Sequence, residues 1–122
     1  MAKKTLTYTE IITSLQAKKF APIYLLMGEE PYYIDLISDY IEKNILTEDE
    51  KMMNQVVRYG KDSDVGSIIN EARRFPMMAT HQVIIVKEAQ MLDKIEQLEM
   101  YLQKPLETTI LVINHKYKSA DK

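Results

Sequence analysis

Val83-Ile84-Ile85-Val86 is the stretch on which the fold turns: four β-branched residues in a row suit a pleated, packed surface and read as a strand buried on both faces. Upstream of it, Asp62-Ser63-Asp64 can cap a helix carrying Val65, Ile68, Ile69 and Ala72, and Asn54 to Tyr59, with Val56-Val57, reads as a strand ended by Gly60. Further back, Pro22 opens the apolar run Ile23-Tyr24-Leu25-Leu26-Met27, closed by Gly28, which again suits a strand covered on both faces. From Pro31 onward, Ile34, Ile37, Ile41 and Ile45 form one apolar stripe and Tyr33, Leu36 and Tyr40 a second, so this helix is expected to be wedged between other elements. Thr7 and Glu10 form a capping box before a first helix that carries Ile11, Ile12 and Leu15 and runs out near Lys18 and Lys19. Downstream, Ile95, Leu98 and Leu102 mark an amphipathic helix stopped by Pro105, and Thr108 to Ile113 makes the last strand. The order αβαβαβαβ predicts an α/β fold of three layers, αβα, with a mostly parallel sheet and right-handed crossovers.

A chain of 122 residues supports one core, and 46% apolar with 28% charged residues is ordinary globular usage. Sixteen Lys and Arg against eighteen Asp and Glu leave a net charge of -2, without the basic excess that binding a phosphate backbone requires. The absence of Cys excludes disulfides, thiolate zinc sites and cysteine nucleophiles. Met1-Ala2-Lys3-Lys4-Thr5 is not followed by an apolar segment of a signal peptide, and the longest apolar run, Ile23 to Met27, is far short of the roughly 20 residues that span a bilayer. The expectation is a soluble, cytoplasmic protein without a membrane partner.

A first strand ending in Gly28 invites a phosphate-binding loop, but the residues oppose it. Gly28-Glu29-Glu30-Pro31-Tyr32-Tyr33-Ile34-Asp35 has one glycine, no Lys followed by Ser or Thr, two carboxylates where phosphate would sit, and a proline without an N–H. At the end of the third strand, Lys87-Glu88 stands where an ATPase of this topology would carry an acidic pair for Mg²⁺, and by itself reads as a solvated charged strand end. His81 and His115 lack metal-ligand spacing and are expected on the surface or in loops. No catalytic constellation, metal or cofactor follows from these residues. What remains is Arg73-Arg74-Phe75-Pro76-Met77-Met78-Ala79-Thr80, an apolar cluster in a helix-to-strand connection. Two readings stand side by side: Phe75, Met77 and Met78 fold back over the core, or they form a patch whose methionines suit an adaptable protein-binding surface.

Tyr24-Leu25-Leu26-Met27-Gly28-Glu29-Glu30-Pro31 with its Tyr/Ile-rich helix, and Phe75-Pro76-Met77-Met78-Ala79-Thr80-His81-Gln82-Val83-Ile84-Ile85-Val86-Lys87, together resemble the N-terminal domain of the clamp-loader delta subunit of bacterial DNA polymerase III. The resemblance runs from about Tyr8 to Lys122. It implies an AAA+, P-loop-NTPase-like fold whose nucleotide site, at Gly28, Glu29, Glu30, Lys87 and Glu88, is degenerate and needs no cofactor. It also implies a binding role without ATP hydrolysis, in which Met77 and Met78, at the exposed loop tip, enter a pocket on the sliding clamp (the beta subunit) and help open the ring. Phe75 and Pro76 would shape that loop. The family's apolar pair is often Leu-Phe or two aromatics, and methionines keep its apolar character. Asn114, just past the last strand, falls where ATPases of the fold place a polar sensor. The partners implied are the clamp and the other loader subunits, with DNA reached only through the assembled complex. Residues 1–122 would then be a fragment, the N-terminal part of domain I, with the lid and collar domains beyond it and a further helix starting near Lys118. Two alternatives are a P-loop-type ATPase or phosphotransferase with an unrecognised site, opposed by Glu29, Glu30 and Lys87, and a stand-alone α/β interaction domain.

Overall fold

The computed structural model describes residues 8–28 and 31–116 of the chain. Its strands are β1 (Ile23–Gly28), β2 (Gln55–Tyr59), β3 (Gln82–Lys87) and β4 (Thr109–Lys116), and they join in one sheet in the order β1-β4-β3-β2. Every neighbouring pair is parallel, with Tyr24 beside Val112, Val83 beside Ile110, and Val56 beside Ile84. The helices are α1 (Tyr8–Gln16), α2 (Pro31–Asn44), α3 (Glu48–Asn54), α4 (Val65–Ala72) and α5 (Glu99–Gln103).

Alternation along the two central strands divides the core between the sheet's faces. On one face, Val83, Ile85, Ile110 and Val112 pack with Leu15 of α1 and Ile34, Ile37 and Ile41 of α2. On the other, Ile84, Val86, Leu111 and Ile113 pack with Val65, Ile68 and Ala72 of α4 and with Leu98 and Tyr101. This is the three-layer α/β arrangement expected from the sequence, and the uninterrupted apolar runs are its direct cause, since a central parallel strand is covered on both sides.

The structure corrects several boundaries. Between α2 and β2 it adds α3, whose Thr47 forms a capping box with Glu50, and Asn54 closes this helix instead of opening the strand. β1 lies at the end of the described sheet: Tyr24 and Leu26 are buried, while Ile23 and Leu25 are only half-buried because the elements on their face centre on β3 and β4. α2 buries one stripe, not two; Tyr33 is exposed, Leu36 and Tyr40 are half-buried, and Ile45 falls just past the helix end. The helix read over residues 95–102 is a 3₁₀ turn, Ile95–Leu98, followed by the short α5, and Lys94 enters it in the left-handed conformation. β4 runs on to Lys116, so Asn114 and His115 are buried strand residues and not loop or surface positions. The capping role read for Thr7, and the helix start near Lys118, lie outside the described residues.

Asp64 caps α4 as the sequence suggests, accepting the backbone N–H of Ser67 at 3.2 Å. Ahead of it, the 3₁₀ turn Gly60–Asp62 passes close to the turn that follows β3, and a Cβ at residue 60 would stand 2.3 Å from the carbonyl oxygen of Glu88. Gly60→Ala therefore forces one of two packed backbones to move and is expected to destabilise the fold by about 2 kcal/mol or more. The check is a lower urea midpoint with an unchanged denaturant slope.

Candidate protein-binding site

The connection from α4 to β3, residues 73–81, carries the apolar cluster singled out above. Phe75 is 72% exposed, Met77 51% and Met78 95%. These side chains do not fold back over the core, although Pro76 is half-buried. Exposed aromatic and thioether groups in such density are uncommon on a loop and mark a surface suited to a protein partner.

The backbone beneath them is held from three sides by polar side chains. Asn54, at the end of α3, accepts the Met77 N–H through Oδ1 at 2.7 Å and donates from Nδ2 to the Met77 carbonyl at 2.8 Å. Gln82, the first residue of β3, donates from Nε2 to the carbonyls of Glu71 at 2.7 Å and Arg74 at 2.8 Å and reaches Thr109 Oγ1 at 3.0 Å. Thr109 in turn donates to the Ala72 carbonyl at 2.6 Å, and the Tyr101 hydroxyl lies 3.4 Å from the same oxygen. The last turn of α4 and the root of the loop thus rest on a buried network spanning β3, β4 and α5. On this frame Met78 adopts φ 59°, a left-handed backbone that is costly for a residue with a side chain. The loop is an ordered backbone carrying solvated apolar side chains.

At the opposite end of the sheet, where ligands of open α/β folds bind beyond the strand C-termini, the described residues offer little to a phosphate. Only residues 29 and 30 separate β1 from α2, whereas a phosphate-binding loop threads a longer glycine-rich segment between strand and helix. Glu29 and Glu30 themselves lie outside the described residues. Lys87 is not simply solvated, as its sequence position suggested: it is half-buried and its Nζ pairs with Glu42 of α2 at 3.5 Å. Glu88 takes the left-handed conformation at the following turn and accepts a hydrogen bond from Gln90 at 2.6 Å. Asn114 donates through Nδ2 to Ser38 Oγ at 3.0 Å, tying β4 to α2 where a sensor would otherwise face a ligand. His81 packs edge-on against Phe20 at 5.5 Å, far in sequence from the buried His115, and the described residues contain no cluster of three or more metal-ligating side chains. None of the described helices is long and apolar enough to cross a membrane.

Two solved structures share this architecture. The Bacillus subtilis DNA clamp loader delta protein superposes with a TM-score of 0.82 at 22% identity, over 95% of this chain and 38% of that one. A DNA polymerase III gamma subunit-related protein from Thermotoga maritima superposes with a TM-score of 0.60 at 16% identity, over 90% of this chain and 40% of that one. The fold is therefore that of an AAA+-like α/β domain, here presenting an apolar loop at the N-terminal end of β3.

The family described as DNA polymerase III, delta subunit, matches residues 24–122, and the chain belongs to that family. DNA polymerase III subunit delta of Bacillus subtilis (strain 168) is 27% identical over 122 residues, covering 92% of this chain and 35% of that protein. The chain spans little more than a third of the length of the relatives it matches.

Asn54 and Gln82 are the functional candidates that reading the sequence missed. Both are ordinary polar residues in sequence, and neither periodicity nor spacing links Asn54 to a loop 23 residues further on.

Proposed function

We propose that this chain is the part of a clamp-loader delta subunit that grips the sliding clamp, the beta subunit, through Phe75, Pro76, Met77 and Met78. The observation that carries the reading is the contrast within the loop: the Met77 backbone is held at both its N–H and its carbonyl while the Met78 side chain is 95% exposed. A loop ordered before binding gives up little conformational entropy on docking, so more of its apolar burial appears as affinity. Entry of Met77 and Met78 into a pocket on the clamp would favour an opened ring by binding that state better.

In this reading Gly28, Glu29, Glu30, Lys87 and Glu88 are remnants of a nucleotide site that binds nothing. The chain hydrolyses no ATP; other loader subunits supply the ATP-driven steps, and DNA is met only through the assembled complex, in the cytoplasm. Residues 1–122 form the N-terminal part of domain I, with lid and collar domains completing the subunit. Titration in two arms tests the proposal. The sliding clamp is expected to bind saturably, whereas Mg²⁺-ATP should leave the melting temperature unchanged. A Mg²⁺-dependent stabilisation above about 1 kcal/mol, which needs only a few multiples of Kd, favours the phosphotransferase or ATPase alternative instead.

A further inference from the structure

We infer that Asn54 is a positioning residue for clamp binding, setting the presentation of Met77 and Met78 without touching the partner itself; the inference rests on the function proposed above. Asn54 is 3% exposed and ends α3, and its amide group closes a two-point clamp on one residue of the loop, Met77 N–H to Oδ1 at 2.7 Å and Nδ2 to the Met77 carbonyl at 2.8 Å. Nδ2 also donates to the Glu50 carbonyl at 3.0 Å, which ties the clamp to the body of α3. Glu50 in turn closes the capping box with Thr47, so both ends of this seven-residue helix are fixed by side chains.

Desolvation alone does not require this arrangement. Met77 is half exposed, and water could serve its backbone groups at little cost, because a protein hydrogen bond that replaces one to water contributes only modestly. What the two bonds add is order. With both backbone groups of Met77 engaged, the peptide planes on either side of it are fixed, and the neighbouring Met78 is held in its left-handed conformation with the side chain projecting outward. α3 exposes Met52 and Met53 to solvent, so the helix contributes little apolar burial of its own. Its buried residue is Asn54, and that residue is spent on the loop.

The test compares the native chain with Asn54→Ala and Asn54→Asp, measuring sliding-clamp affinity, urea midpoint and hydrogen exchange at the Met77 amide. Asn54→Ala is expected to weaken clamp binding about tenfold by loss of preorganisation and to abolish protection of the Met77 amide. Asn54→Asp keeps an acceptor for the Met77 N–H but sets a carboxylate oxygen against the Met77 and Glu50 carbonyls that Nδ2 serves, so it should bind no better than the alanine variant; fast exchange of the Met77 amide in the native chain would overturn the inference even if neither variant folds. Native affinity in either folded variant despite lost protection means that loop order does not matter to binding, and native protection in Asn54→Ala means that Asn54 does not provide that order. Either result overturns the inference while leaving the loop's proposed role intact. A native chain that does not bind the clamp at all overturns both.

Discussion

Replacing Met77 and Met78 together with alanine is expected to weaken binding to the sliding clamp by about 10² or more while changing the free energy of unfolding by less than about 1 kcal/mol. Burying a Met side chain against a partner is worth about 1.5 to 3 kcal/mol, so two of them can dominate a modest interface. Neither belongs to the two core clusters, and their exposures of 51% and 95% leave little packing to lose on truncation. Met78→Gly sharpens the test, because glycine accepts a left-handed backbone without strain. That variant should keep the fold and lose affinity. Phe75, read from the sequence as shaping the loop, is 72% exposed, so Phe75→Ala should cost binding with little loss of stability. A loss of about 2 to 5 kcal/mol per Met, with clamp affinity intact in the folded fraction, would instead identify the pair as core.

The matching expectation concerns Ile85, a few residues further along the chain and fully buried between Val57 and Val112 of the neighbouring strands. Ile85→Ala leaves a cavity beneath α1 and α2 and is expected to destabilise the domain by about 2 to 5 kcal/mol. Clamp affinity of the protein that remains folded should not change, since the side chain lies in the core and the loop is held by the polar side chains of Asn54, Gln82 and Thr109. Denaturant unfolding and clamp titration of the same two variants therefore separate the roles: the methionines move the second measurement, and the isoleucine moves the first.

The sheet was legible because burial on both faces leaves a mark in composition: the runs 23–27, 83–86 and 110–113 all became strands. Strand order was not, since an apolar run does not say which neighbour it pairs with, and the end position of β1 explains why Ile23 and Leu25 are less buried than their character suggests. α3 escaped because Glu48–Asn54 has no apolar stripe; its methionines face solvent, and its one signal was the Thr47-x-x-Glu50 capping box. The break before Ile95 had no glycine or proline to announce it, for Lys94 takes the left-handed conformation itself. The residues of the apolar loop were readable, but taken alone they left open whether the loop covers the core, and the exposure of Met77 and Met78 was expected only through the resemblance. That exposure depends on Asn54 and Gln82, which hold the backbone through contacts a linear pattern does not carry.

The most direct test of the loop as the clamp contact is photo-crosslinking from single positions in the presence of the sliding clamp. A photoreactive side chain at residue 78 sits before the N-terminal end of β3, and one at Asp93 lies past its C-terminal end, the two ends being separated by a six-residue strand about 20 Å long. The account predicts a covalent adduct with the clamp from position 78 and none from position 93. An adduct from position 93 with none from position 78 would contradict it, placing the clamp at the other end of the sheet and leaving Met77 and Met78 without the role assigned to them.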